Sequence, residues 1–146
     1  MNFKKLYIIV GAGSGIGYEF AKRISVNNKA IGLFNKSKKT GNKNIIYMRV
    51  DIENKKQIEN FFKNKKSFIK KFKTITFVNF ATYKKDDLIL NIKDKDMKKT
   101  FDINLFSNIY FIQNLVKSFY SKKLNIIFIS SSLGKNVDVG TLLYSA

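Results

Sequence analysis

Leu6-Tyr7-Ile8-Ile9-Val10-Gly11-Ala12-Gly13-Ser14-Gly15-Ile16-Gly17 is the stretch on which the fold turns. Five consecutive apolar residues end abruptly in glycine, the pattern of a parallel strand buried on both faces. The apolar spacing then changes. Ile16, Phe20 and Ile24 recur four residues apart, along one face of a helix. The glycines sit at the hand-over, where they let the backbone turn tightly and approach a pyrophosphate closely. The helix start behind them offers free N–H groups and a favourable dipole. A glycine-rich turn after a strand and before a helix, in the first βα unit, is the context in which such a motif binds a nucleotide.

Working outward, residues 29–34 read as a second strand and 35–44 (NKSKKTGNKN) as a polar loop. Residues 45–50 read as a third strand that ends at Asp51. Ile58, Phe61, Phe62, Ile69 and Phe72 mark one face of an amphipathic helix. Residues 74–79 form a fourth strand, and 83–99 a polar stretch, mostly loop with a short helix. Phe101, Leu105, Ile109, Ile112, Val116 and Phe119 keep a 3–4 spacing along a long helix, and 125–130 read as a fifth strand. Strands alternating with helices predict an α/β fold with a right-handed parallel sheet. Five such strands suit an incomplete, doubly wound Rossmann-type sheet of order 3-2-1-4-5. With 146 residues the chain has room for a single domain spanning 1–146.

Composition narrows the chemistry. There is no Cys and no His, which excludes a disulfide framework, thiolate or imidazole metal ligands, and every Ser-His or Cys-His nucleophile. No metal site is expected, and acid–base work falls to carboxylates, Tyr or Lys. The 28 Lys+Arg against 10 Asp+Glu give a net charge of +18. The lysines run along the whole chain, and no single basic stripe emerges from the sequence. They read as compositional drift and solvated faces, and no nucleic-acid partner is expected. Lysines clustered on one face of the fold, with salt-sensitive binding, would favour such a partner instead. The start, Met1-Asn2-Phe3-Lys4-Lys5, lacks the apolar stretch of a signal peptide, and no apolar run approaches the roughly 18 residues of a membrane span. A cytoplasmic protein without membrane contact is expected.

The motifs together resemble the short-chain dehydrogenase/reductase family. Its Gly-x-x-x-Gly-x-Gly turn is matched by Gly11, Gly15 and Gly17, with Val10 where the family usually has Thr. Val50-Asp51-Ile52 resembles the segment whose acid contacts the adenine. Asn79-Phe80-Ala81-Thr82 resembles Asn-Asn-Ala-Gly, with Thr82 replacing the glycine and expected to crowd the cofactor ribose. Asp102-Ile103-Asn104-Leu105 resembles the turn bearing the catalytic Asn, Ser130-Ser131-Ser132 the Ser motif, and Tyr144-Ser145-Ala146 the start of Tyr-x-Ala-Ser-Lys. Ser131 and Tyr144 stand thirteen positions apart (144 − 131), the family's common spacing.

The resemblance implies hydride transfer between a nicotinamide and a small carbonyl or alcohol substrate. Tyr144 would exchange a proton with the substrate oxygen, Ser131 would hydrogen-bond that oxygen, and Asn104 would hold a relay water. It also implies a cofactor site drawn from Gly11, Ser14, Gly15, Ile16 and Gly17, then Asn35, Lys36, Asp51 and Ile52, with Asn79 and Ala81 closing it. No acid stands at the end of the second strand to accept the ribose 2′-hydroxyl of NAD. Lys36, Lys38 and Lys39 could meet a 2′-phosphate, which favours NADP over NAD. Ser14, where NADP-preferring relatives often carry Arg, counts against it.

The family's Lys follows its Tyr by four positions, which here would be 148, past Ala146. The chain as given is therefore expected to bind cofactor better than it turns over substrate. The rival expectation is a non-catalytic dinucleotide-binding remnant. The apolar fifth strand should form an exposed sheet edge, and the isolated chain should be marginally stable or poorly soluble. A homo-oligomer of a longer form is compatible with the resemblance.

Overall fold

The computed structural model describes residues 4–37 and 39–146; Met1, Asn2, Phe3 and Lys38 lie outside the described residues. Five parallel strands form one sheet in the order β3-β2-β1-β4-β5. They are β1 (Lys5–Val10), β2 (Lys29–Phe34), β3 (Ile45–Arg49), β4 (Thr74–Asn79) and β5 (Lys123–Phe128). The helices are α1 (Gly15–Ile24), α2 (Lys55–Ile69), α3 (Asp94–Phe101), α4 (Ser107–Phe119) and α5 (Leu142–Ser145). This is the Rossmann-type α/β fold expected from the strand–helix alternation.

Alternation along β1 builds both halves of the core, since successive side chains point to opposite faces. Leu6, Ile8 and Val10 join Ile31, Leu33, Ile75 and Phe77 under α2 and α4. Ile9 turns the other way, to Ala12, Ala21, Ala30 and Ile45 under α1. Phe111 of α4 ties the larger half together, its ring 4.9 Å from Phe62, 5.1 Å from Phe77 and 5.8 Å from Phe61. Glycine at position 32 is required by packing, because a Cβ there would lie 2.7 Å from the Tyr47 ring.

Several element boundaries and parts of two helix faces depart from the sequence reading. β3 ends at Arg49, although the Val50 amide still bonds Phe34 (2.9 Å). β5 covers Lys123–Phe128 rather than 125–130, because Lys123 pairs with Thr74 at the foot of β4. α1 begins at Gly15, and Ile16 is 76% exposed, overhanging the sheet end instead of joining the buried face.

The long helix is interrupted by a π-turn, Asp102–Phe106, in which the Ser107 amide reaches back to the Asp102 carbonyl. One extra residue in a turn rotates everything after it by about 100°. The buried stripe of α4 is Phe111, Leu115 and Phe119, while Phe101, Leu105, Ile109 and Val116, on both sides of this turn, are exposed. The apolar edge of β5 is as expected: Ile126, Ile127, Phe128 and Ile129 are all exposed. Among the described residues no helix is long and apolar enough to cross a membrane.

Candidate active site

The glycine turn is built by close approach. Gly11 adopts φ +78°, and a Cβ there would lie 2.6 Å from the Ala81 amide nitrogen. A Cβ at Gly17 would lie 2.4 Å from the Gly11 carbonyl oxygen, and one at Gly13 2.9 Å from Phe34 Cβ. Gly15 differs: its φ of +54° calls for glycine, yet open space surrounds it. Ser14, the exposed N-cap of α1, makes no side-chain capping bond. The first N–H groups of α1 are thus left to an outside acceptor.

Beside this turn run the exposed residues Asn35, Lys36 and Ser37, with the Ser37 carbonyl 3.2 Å from where a Gly13 Cβ would be. No carboxylate follows β2 here. Lys39 sets its ammonium 4.5 Å from the Tyr18 ring centroid, against the first turn of α1. At the end of β3, Asp51 accepts the Glu53 amide (3.0 Å), and its own amide bonds Gln57 (2.9 Å). The Ile52 side chain is buried in the core under α2.

At the end of β4, Asn79 spends its amide on a local turn, donating to the Ala81 carbonyl (3.1 Å) and accepting the Ala81 amide (3.0 Å). Ala81 is thereby pressed against Gly11. Asn104, inside the π-turn, clamps the same loop. Its Oδ1 accepts the Tyr83 amide (2.8 Å) and the Thr82 hydroxyl (3.3 Å), while its Nδ2 donates to the Tyr83 carbonyl (2.9 Å). The Asn104 side chain is therefore held by three hydrogen bonds, and the Thr82 hydroxyl is turned toward it. Asn108, buried one turn on, donates to the Ile103 and Asn104 carbonyls that the wide turn frees (3.2 and 2.9 Å).

Ser131 follows β5, and its Oγ accepts the Leu133 amide (3.2 Å) as the cap of a short 3-10 turn, Ser132–Gly134. Tyr144 lies half-buried on α5, with the Lys84 ammonium 5.8 Å from its ring centroid. The Asp87 amide bonds the Gly140 carbonyl (2.8 Å), holding the segment before α5 to the loop after β4. Asn104 thus clamps the loop after β4 and Tyr144 lies beside Lys84 of that loop, while Ser131 caps a local turn after β5.

Sequence reasoning missed four residues of this hub. Tyr83 donates its phenol to Asp96 (3.0 Å), and that bond to a carboxylate raises the Tyr83 pKa above its ordinary value. Asp87 is held below the usual carboxylate range by the Asn91 amide, then by Lys85. Lys84 and Asn108 complete the set. None follows a spacing that would single it out, since the pairs are joined only by the folded loop.

The model of the short chain dehydrogenase family matches residues 5–146. Over 153 residues the chain is 27% identical to the 3-oxoacyl-(acyl-carrier-protein) reductase FabG of Buchnera aphidicola, covering 98% of this chain and 61% of that protein. A short-chain dehydrogenase/reductase from Burkholderia vietnamiensis superposes with a TM-score of 0.85 at 13% identity, over 99% of this chain and 71% of that one. The Thermoplasma acidophilum aldohexose dehydrogenase does so with a TM-score of 0.82 at 22% identity, over 98% and 55%. At these identities the structures speak for the fold alone, whereas the family model spans nearly the whole chain: it belongs to the short chain dehydrogenase family.

Proposed function

We propose that residues 1–146 form one NAD(P)-binding domain, and that the protein transfers hydride between that cofactor and a carbonyl or alcohol carbon of a small molecule. The observation that carries this reading is the glycine turn. Gly11 and Gly17 are packed too closely for any side chain, Gly15 opens to solvent, and the α1 start is left without a side-chain cap. This cradle fits a dinucleotide pyrophosphate.

Gly15, Ile16 and Gly17 would meet the pyrophosphate with Ser14 beside them. Asn35 and Lys36 would meet the adenine ribose, Asp51 and the Ile52 backbone the adenine, and the Asn79–Ala81 turn the nicotinamide end. A bound nicotinamide supplies or accepts the hydride. The Tyr144 phenol would give or take the proton at the substrate oxygen, with the Ser131 hydroxyl donating to that oxygen. Asn104, its side chain already engaged, would act by fixing the Thr82–Tyr83 backbone and through its own carbonyl. The missing carboxylate after β2, with Lys36 exposed there, supports NADP over NAD. Titration with NADPH and NADH tests both points: tighter NADPH binding is expected, tighter NADH binding reverses the preference, and binding of neither removes the reading.

A second reading, dinucleotide binding without turnover, is favoured by the state of the Asn104 and Ser131 side chains, both committed to local bonds. The chain spans 61% of its FabG relative's length. NADPH oxidation with carbonyl compounds separates the two readings. Self-association of a longer form is also part of the proposal, supported by the exposed apolar residues Ile109 and Val116 on α4.

A further inference from the structure

The sheet edge opposite the glycine turn carries a charge pattern that the dehydrogenase reading does not use. Each strand begins at a lysine or within two residues after one: Lys5 for β1, Lys29 for β2, Lys43 before β3, Lys73 before β4, and Lys123 for β5. The register sets these starts side by side. The Lys73 amide bonds the Lys4 carbonyl (3.1 Å), and the Lys123 amide bonds the Lys73 carbonyl (3.2 Å). Lys29 donates to the Lys43 carbonyl and to Asn44 Oδ1 (3.2 Å). The helices run antiparallel to the strands and add their own ends: Arg23 on α1, Lys70 and Lys71 after α2, and Lys122 after α4, which donates to the Lys70 carbonyl (2.9 Å).

No carboxylate belongs to this edge. All ten follow the C-terminal ends of β3, β4 and β5, or lie in α3 and the π-turn, or in the first half of α1 and α2. Helix dipoles favour cations at helix C-termini, but sheets have almost no dipole to favour lysine at strand starts. Guarding against edge pairing would place lysine on β3 and β5, not on the central β1 and β4. Neighbouring strands are about 4.8 Å apart, so the five starts form a basic rim about 19 Å long. Tyr120, 81% exposed, stands on this rim in the turn between α4 and β5.

We propose that this rim binds single-stranded polynucleotide without sequence preference, phosphates lying along the strand-start lysines and a base stacking on Tyr120. A row of cations with an exposed aromatic is the combination that single-stranded sites use. A duplex groove would need a helix or ribbon presented lengthwise. An anionic membrane would need an amphipathic helix lying flat. Here the helices meet the rim end-on. The lysines are scattered along the sequence and are gathered only by folding.

The test is fluorescence anisotropy with labelled 20-mers of uridylate and thymidylate, from 50 to 200 mM NaCl. The triple variant Lys5→Glu, Lys73→Glu, Lys123→Glu is expected to bind at least tenfold more weakly at 50 mM. Its plot of log K against log salt should be shallower by about 2, since each lost phosphate contact removes roughly 0.7 from a single-strand slope. Tyr120→Ala should weaken binding about tenfold and leave the slope unchanged. Lys93→Glu, Lys95→Glu, Lys135→Glu changes net charge equally at exposed positions away from the rim, and should leave the slope unchanged. Should circular dichroism show the rim triple unfolded, the three Lys→Gln changes replace it, with the same loss of slope expected.

Equal weakening by both triples would mean that net charge alone binds, and would overturn the proposal. Displacement of the oligonucleotide by saturating NADPH would also overturn it, by moving the site to the glycine edge. So would binding to vesicles with 30% phosphatidylserine in the absence of oligonucleotide binding, which would assign the rim to membrane. A preference between the uridylate and thymidylate probes identifies RNA or DNA as the ligand, and either one supports the rim.

Discussion

The glycine turn at 11–17 and the segment at 129–146 both serve the C-terminal edge of the sheet, yet they are held in opposite ways. In the first, backbone meets backbone: Gly11 lies against Ala81, and Gly17 against Gly11. In the second, Ser131, Thr141 and Ser145 bond mainly within four residues of themselves. Thr141 and Leu143 are its buried residues, and Val137, Val139 and Leu142 are exposed. Its attachments to the rest of the molecule include the Asp87–Gly140 backbone bond and the Lys84 contact with Tyr144. The difference teaches that the glycine turn is fixed by tight backbone packing, whereas the segment bearing Ser131 and Tyr144 is held mainly by its own local bonds.

Substitutions should expose this contrast. Gly17→Val is expected to do the most harm, about 4 kcal/mol or more, because its side chain would displace the Gly11 carbonyl. Dinucleotide binding should vanish with it, as read by denaturant melts and calorimetric titration. Asn104→Ala should cost about 2 kcal/mol by leaving the Tyr83 amide and carbonyl without their partner. A melt unchanged by that substitution would mean that the loop after β4 holds itself. Gly15→Ala meets no neighbour and should cost only the left-handed backbone, about 1–2 kcal/mol. Ser131→Ala removes a cap from a short exposed turn and should cost no more than about 1 kcal/mol. A loss from Ser131→Ala as large as that from Asn104→Ala would erase the distinction between the two regions.

The smallest effects are local and pH-dependent. Asp87 titrates below its ordinary 3.8 in the folded protein, so its contribution is present above that value and is lost as pH falls through the lowered one. Amide protection factors around 87 and 140 should fall on acidification below about pH 4, and Asp87→Asn should abolish that dependence. Tyr83 has the opposite sign. Its pKa lies above the ordinary 10.0, so its contribution is present below that value and is lost as pH rises through the raised one. Alkaline loosening of the same loop should disappear in Tyr83→Phe.

Much of this was legible in the sequence because it was local. An apolar run, a glycine turn and a change of period lie within twenty residues, and the strand–helix alternation that follows them gives fold class and strand order. The face of α4 was not legible. Its apolar residues offer two helical faces, one through Ile109, Ile112 and Val116 and one through Phe111, Leu115 and Phe119, and periodicity alone does not say which meets the sheet. Asn104 could be located by motif, but not the direction of its side chain, which depends on Tyr83, twenty-one positions away. The lysine rim was hidden for the same reason: residues 5, 29, 43, 73 and 123 become neighbours only through strand pairing.

The contact of Gly11 with Ala81 has a consequence for anyone wishing to move this turn into another protein. Residues 11–17 are not a portable cassette. Their shape is moulded against the backbone at 80–81, which Asn79 in turn holds. A transplanted loop without that counterpart would lack the surface that dictates its curve. Recombination between relatives should therefore succeed when both pieces travel together, and fail when a breakpoint parts them.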